Sequence, residues 1–427
     1  MATLRIQGGR RLSGRIAVEG NKNSALPLLA ACLLTDRECV LTNVPRIRDV
    51  EVLIDLLKGL GASVDGVGTS TLRVRCERVS SDTPDPTLVG RLRGSVLLLG
   101  PLLARTGSAQ LAQPGGDFPA RRTISTHLQA LAAMGAVPQN PTSQEPGHWL
   151  EAPNGLTGAS LYLDEASVTG TETAILAAAA AKGPSEIRHA ATEPHVAELC
   201  RFLRAMGVDI QGEGTSTLRI QGSGRINGAS HRLDGDYIEA GSWGVVAAIT
   251  GGAIEVSGAR WTDIEVVAAP LKKMGLQCTV DDNRFVVEPS ALTAARRITT
   301  GLWPGFPSDM VSLVTVLATQ AEGETLVHDW MYELRLFALE QLSAMRADLF
   351  LCDPHRIIVS GPTKLRGRHL DTRDIRSGMA LIAAALAAEG ESRVGPLETV
   401  ERGYGALVER LTMLGAQVER VQEPVAR

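Results

Sequence analysis

One phrase of hydrophobic and polar positions recurs along the chain. Apolar residues at three- and four-residue steps predict a helix, a Met-Gly-Ala-like turn ends it, and a segment alternating polar with apolar residues predicts a strand. The turn stands at Leu60-Gly61-Ala62, Met134-Gly135-Ala136, Met206-Gly207-Val208, Met274-Gly275-Leu276, Met345-Arg346-Ala347 and Leu414-Gly415-Ala416. Its spacing of roughly 70 residues indicates six copies of one unit. Helices are predicted over Glu51 to Gly59 and Leu199 to Met206, with glycine supplying the stop. The strand phrase GVGTSTLRV around Gly68 returns nearly letter for letter as GEGTSTLRI around Gly214, as duplication would leave it. A single copy would keep an apolar face in water, so neighbouring copies must pack together, most economically three to a lobe. The pattern places residues 22–235 in a first lobe, and residues 1–21 with 236–427 in a second. Two crossings of the chain would then hinge the lobes around a cleft that closes on its ligands.

Composition narrows the class. With 427 residues, 44% hydrophobic and 21% charged, the chain has ample core material, which excludes disorder and fibre. A balance of 43 basic against 47 acidic residues leaves a net charge of −4, so no global field gathers nucleic acid or an anionic membrane. The longest apolar stretches, near Leu97 to Ala104 and Ala174 to Ala181, stop short of the ~18 residues a membrane span needs. The six cysteines form no CxxC pair and the eight histidines no HExxH, so no metal site is expected. The N-terminus lacks the apolar core of a signal peptide, which makes a reducing cytoplasm the expected compartment.

Eight segments break the apolar rhythm with Gly/Pro turns and fixed charges. They are GNKNSALPLLAA at Gly20 to Ala31, RLRGSVLLLGPLLAR at Arg91 to Arg105, PGGDFPARRTISTH at Pro114 to His127, GDYIEAGS at Gly235 to Ser242, PGFPSDM at Pro304 to Met310, MYELRLF at Met331 to Phe337, TRDIRSG at Thr372 to Gly378 and ERGYG at Glu401 to Gly405. In this order they resemble the enolpyruvyl transferases, and GNKNSALP and FPSDM resemble the branch acting on nucleotide sugars such as UDP-N-acetylglucosamine. The resemblance implies an α/β fold, a two-lobe inside-out α/β barrel of six βαβαββ repeats. It also implies transfer of the carboxyvinyl group of phosphoenolpyruvate to an acceptor hydroxyl, with no metal or organic cofactor.

That reaction sets physical demands. Phosphoenolpyruvate brings a phosphate and a carboxylate, so several cations must converge on it, planar guanidiniums above all. Lys22, Arg93, Arg122, Arg335, Arg376 and Arg402 match the family's basic positions. Each alone reads as a solvated surface charge; as a set on motif turns they read as a site. Attack of the hydroxyl on C2 needs a base, and C3 must gain a proton and then lose it as phosphate leaves. Asp309 matches the family carboxylate near the acceptor hydroxyl, although it or Ser308 could equally cap the following helix. Asp374 and Glu333 match acidic positions that orient the cations, and ion pairs with Arg376 and Arg335 would give nearly the same geometry.

On the acceptor side the resemblance assigns Asn23, Ser125, His127, Glu165, Ser167, Val168, Thr169, Asp236, Glu239 and Met331, together with Asp309. Two departures matter. Asp117 stands where many members carry a loop cysteine, implying a carboxylic acid as proton donor to C3, with Lys22 next in line, and insensitivity to the thiolate-alkylating drug fosfomycin. Glu165 stands where nucleotide-sugar members commonly have a lysine near the diphosphate, and a carboxylate there repels phosphates. The acceptor that the resemblance implies is a uridine nucleotide or nucleotide sugar. A nucleoside monophosphate such as UMP is the alternative substrate, and a non-catalytic nucleotide-sugar-binding paralogue the alternative class.

Overall fold

Residues 2–116, 123–139, 146–333 and 335–422 are described by the computed structural model. The chain divides into two units, Gly20–Asp234 and Met1–Glu19 with Gly235–Arg427. Each unit carries three sheets, one for each copy of the repeat.

The segment 160–222 shows the plan without interruption. Strand Ser160–Tyr162 leads into helix Val168–Ala180, then into the parallel strand Gly183–Arg188, helix Pro194–Ala205 and the hairpin of Asp209–Gln211 with Thr217–Gly222. Residues alternate across the strands, as a sheet with one wet face requires. Ile187, Leu218 and Ile220 are buried, while Glu186 meets Arg219 across the strands at 3.0 Å on the exposed side. The second helix of each copy, as in Arg48–Gly59 and Pro194–Ala205, is amphipathic. Both begin earlier than the apolar stripe predicted, because their first turns open with polar Arg48 and Asp49 in one case and with Pro194 in the other.

The first helix of a copy is different. Val168–Ala180, Tyr237–Thr250, Val311–Ala318 and Ile375–Ala387 are buried nearly all round, which makes each the centre of its unit rather than its coat. Helices inside and polar sheet faces outside are the inside-out α/β arrangement. It demands small residues: a Cβ on Gly244 would lie 2.4 Å from the ring of Phe285. One hydrophobic core fills each unit.

The recurring phrases are recurring backbone. Gly61, Gly135, Gly207, Gly275 and Gly415 all adopt positive φ, and Arg346 adopts it too, at +73°. In both GTSTLR segments the threonine hydroxyl donates at 2.7 Å to the carbonyl of a left-handed glycine, Thr69 to Gly66 and Thr215 to Gly212. The copies are not contiguous, however. Strand Ser230–Arg232 runs parallel to Cys39–Thr42, Ser13–Ala17 runs parallel to Ala253–Ser257, and Ala2–Gln7 fills the sheet between Glu391–Gly395 and Gln417–Gln422. The second copy has a three-stranded sheet, and its first helix opens as a 3-10 turn, Arg93–Leu98. No helix among the described residues is long and apolar enough to cross a membrane.

Candidate functional site

Five of the six first helices follow an edge strand, and the motif residues fall at the starts of equivalent helices. Lys22, Arg93, Val168, Tyr237, Ser308 and Ile375 are first residues of such elements. The positive end of a helix dipole favours anions at such termini, although at four of them a side chain, Asn21, Ser167, Asp236 or Asp374, already accepts from the N–H groups.

In the unit containing Gly235–Arg427, Asp309 joins two of these starts. Its carboxylate pairs with Arg335 at 3.2 Å and with Arg376 at 2.9 Å. The guanidiniums are 10% and 8% exposed while Asp309 is 29% exposed, so the carboxylate is the member that reaches solvent. Burial works against charge on Arg376, yet Asp309 and Tyr404 outweigh it and raise its pKa above the ordinary value. Arg376 also donates to the Tyr404 hydroxyl at 3.3 Å, which meets Ser242 at 2.8 Å and so reaches helix Tyr237–Thr250. Ser308 donates to Asp329 at 2.7 Å and accepts from Arg335 at 2.8 Å. Asp329, fully buried, further accepts from the Thr300 hydroxyl at 2.9 Å and from the Met331 N–H at 3.2 Å. The guanidinium of Arg335 lies 4.2 Å over the Tyr332 ring.

The acidic partners differ from those the motifs suggested. Asp374 caps its helix, accepting from the N–H groups of Arg376 and Ser377 at 2.9 Å, and Glu333 is exposed; Asp309 takes both arginines instead. Neither Asp309 nor Ser308 is a cap, the position before them being Pro307. Asp236 caps helix Tyr237–Thr250 through the N–H groups of Ile238 and Glu239. Glu239, expected beside the acceptor, is buried against Arg410 and accepts from the Trp243 indole at 3.1 Å. Burial pushes its carboxyl up to about 7 against the pull of Arg410. Arg402 is half-buried in the segment joining helices Leu397–Val400 and Leu407–Met413.

In the unit Gly20–Asp234, Lys22 meets the buried Asp49 at 2.6 Å. Asn21 caps that helix through the N–H of half-buried Asn23, and Ser24 donates to the buried Glu198. Burial works to raise the Glu198 pKa, but His231, Ser24 and the Asp234 N–H prevail and lower it. The Arg93 turn packs on the same helix, Gly94 against Leu26, and its guanidinium donates to the Thr123 carbonyl at 2.6 Å. Ser125 is exposed and 3.0 Å from the Thr123 hydroxyl; His127 is buried and 2.8 Å from the Thr169 hydroxyl. Ser167 caps Val168–Ala180 through the Gly170 N–H at 3.3 Å. Just ahead of that cap, the exposed Asp164 and Glu165 both accept from Thr126, at 2.7 and 3.4 Å. Asp117 and Arg122 lie outside the described residues.

Sequence reasoning missed Asp49 and Asp329, buried carboxylates that hold a site lysine and a site serine. It also missed Glu172, buried in Val168–Ala180 with Oε1 unbonded. Burial and then the neighbouring Glu193 charge hold its carboxyl well above the usual range. No group of three or more His, Cys, Asp or Glu among the described residues could hold a metal ion.

Comparison with known proteins adds identity to this geometry. The family model for EPSP synthase (3-phosphoshikimate 1-carboxyvinyltransferase) matches residues 6–411. A UDP-N-acetylglucosamine 1-carboxyvinyltransferase of Bradyrhizobium diazoefficiens is 42% identical over 98% of both chains. One from Treponema denticola is 39% identical over 97% of this chain and 98% of its own. Among solved structures, the enolpyruvyl transferase NikO from Streptomyces tendae superposes with a TM-score of 0.87 at 25% identity, covering 99% of each chain. The EPSP synthase of Acinetobacter baumannii shares the fold, with a TM-score of 0.78 at 20% identity over 99% of this chain and 100% of its own.

Proposed function

Since the chain belongs to the EPSP synthase family and is a carboxyvinyltransferase, we propose that it moves the carboxyvinyl group of phosphoenolpyruvate to a hydroxyl of a uridine nucleotide sugar of the UDP-N-acetylglucosamine kind. The observation that carries this reading is Asp309, held between Arg335 and Arg376 yet open to solvent on one side. Asp309 accepts the proton of the acceptor hydroxyl as its oxygen bonds to C2, while a proton adds to C3 and gives a tetrahedral ketal. Loss of that C3 proton then restores the double bond as the C2–O bond to phosphate breaks. Asp117 is the proposed carrier of the C3 proton. Lys22, Arg93, Arg122 and Arg402 are assigned to the donor's phosphate and carboxylate, and Arg335 and Arg376, whose donors are turned onto Asp309, Ser308 and Tyr404, fix the base.

One observation favours a second acceptor, a uridine monophosphate. Asp164 and Glu165 put two carboxylates immediately before the Ser167 cap, where a diphosphate is expected to lie, and the repulsion grows with each phosphate. Incubation with phosphoenolpyruvate and either UDP-N-acetylglucosamine or UMP, read by mass spectrometry, tests both. A carboxyvinyl adduct of the sugar nucleotide with equimolar phosphate release is expected; an adduct of UMP alone transfers the assignment to the monophosphate, and no adduct of either refutes the activity. Glu165→Lys should lower the KM for UDP-N-acetylglucosamine several-fold more than that for UMP, and added salt should shrink the gain. Equal response of both acceptors would remove Glu165 from the phosphate site.

A further inference from the structure

We infer that Trp330 is the stacking surface for the sugar ring that bears the acceptor hydroxyl, an inference that rests on the carboxyvinyl-transfer reading above. Trp330 follows the end of strand Gly323–His328 and is 50% exposed, an uneconomical position for the residue whose burial gains most. Its indole is nevertheless fixed. The Nε1–H donates to the Thr300 carbonyl at 2.8 Å, which settles the ring edge and leaves exposed ring surface beyond it. Leu302, two residues after that carbonyl, is 42% exposed, so the apolar surface continues along the loop. Neighbouring aromatics are used differently: Trp243 is fully buried, and Trp303 sits edge-on to Tyr237 with 5.4 Å between ring centroids.

What gives the exposed ring meaning is its connection to the base. Thr300 receives Trp330 at its carbonyl and gives its own hydroxyl to Asp329. Asp329 takes Ser308, Ser308 takes Arg335, and Arg335 pairs with Asp309. Met331, the residue after the indole, donates its N–H to the same Asp329. Indole and base therefore stand on one continuous set of bonds within one unit, each link 3.2 Å or shorter. A hydroxyl delivered to Asp309 brings with it the ring that carries it, and the fixed indole offers that ring's C–H face an apolar plane. Stacking of this kind selects a ring by shape and angle and leaves the hydroxyl free to react.

Steady-state kinetics on the full chain, with phosphoenolpyruvate and the uridine nucleotide the wild type uses, tests the assignment. Trp330→Ala should raise the acceptor KM about tenfold while leaving kcat and the phosphoenolpyruvate KM within about twofold. Trp330→Phe should recover most of the loss, and Trp261→Ala, which removes a tryptophan of similar exposure (47%), should change nothing. Acceptor binding should quench indole fluorescence in the wild type and far less in Trp330→Phe. Product from the wild type with an unchanged acceptor KM in Trp330→Ala overturns the stacking role alone. A wild type that makes no carboxyvinyl product with any uridine nucleotide overturns the parent reading, and this one with it.

Discussion

Helices Val168–Ala180 and Ile375–Ala387 hold the same place in the third copy of their respective units, and each carries an ionisable residue into the interior. Arg376 stands two residues past its cap, Asp374, where Asp309 from the neighbouring copy neutralises it. Glu172 stands five residues past its cap, Ser167, deeper in the helix, and the ionisable side chain it faces is another acid, Glu193. Duplication supplied one backbone, but what a buried charge does on it depends on what the adjacent copy contributes. The first arrangement fixes the carboxylate proposed as the base. The second raises the pKa of the carboxyl it buries.

The strongest way to break the first arrangement is Asp309→Asn. It removes the proposed base and leaves Arg335 and Arg376 facing an amide, so kcat should fall roughly 10²–10⁴-fold, the usual range for loss of a general base. Ser308, Asp329 and the caps stay in place, and circular dichroism should show the fold retained. A variant that keeps more than a tenth of the wild-type kcat would place the base elsewhere.

The two arrangements were unequally legible in the sequence. The repeat was plain because a left-handed turn needs glycine and the same letters mark it again and again: Gly61, Gly135, Gly207, Gly275 and Gly415 share one backbone state. The motif cations were plain because planar anion chemistry needs them. Their partners were not. Asp329 and Asp49 carry no local signature, since a buried carboxylate is specified by side chains distant in sequence: Thr300 and Ser308 precede Asp329 by more than twenty residues, and Lys22 lies in the helix before that of Asp49. The strand exchanges were hidden for the same reason, for Ser230–Arg232 pairs with Cys39–Thr42 across nearly the whole unit. Glu172 was missed because a helix of alanines and threonines gives no hint that one acid within it lacks a cation.

The second arrangement predicts a pH response of definite sign. A carboxyl whose pKa rises on folding from about 4.5 binds its proton more tightly in the native state than in the unfolded one. Its stabilising protonated form is fully present below pH ~4.5, and stability is lost as pH rises from there through the elevated native value. Glu172→Gln removes the titration and keeps the shape. Because the glutamate variant alone loses stability as pH rises above ~4.5, Glu172→Gln should raise Tm more at pH 8 than at pH 5. Melting curves at the two pH values decide it. An equal shift at both would mean that the titration of Glu172 is not what distinguishes the helices.

The smallest effect sharpens the comparison at the opposite end of the repeat, where five copies place glycine and one places Arg346. At φ +73° an L side chain costs about 1–2 kcal/mol, because its Cβ crowds the following carbonyl. The Arg346 side chain is exposed, and its N–H, which donates to the Ser343 carbonyl at 3.0 Å, is retained by glycine. Against the relief stands the extra freedom that glycine gives the unfolded chain, about 0.4–1 kcal/mol. Arg346→Gly should therefore stabilise by roughly 0.5–1 kcal/mol, a rise of about 1–4 °C in Tm. The reciprocal change, Gly415→Ala, isolates the backbone cost, since a Cβ there meets nothing within 4 Å. It should destabilise by about 1 kcal/mol or more. Thermal or urea melts of both variants check the pair. If Arg346→Gly lowered Tm while Gly415→Ala behaved as expected, the backbone argument would hold and the arginine side chain itself would be what this turn keeps.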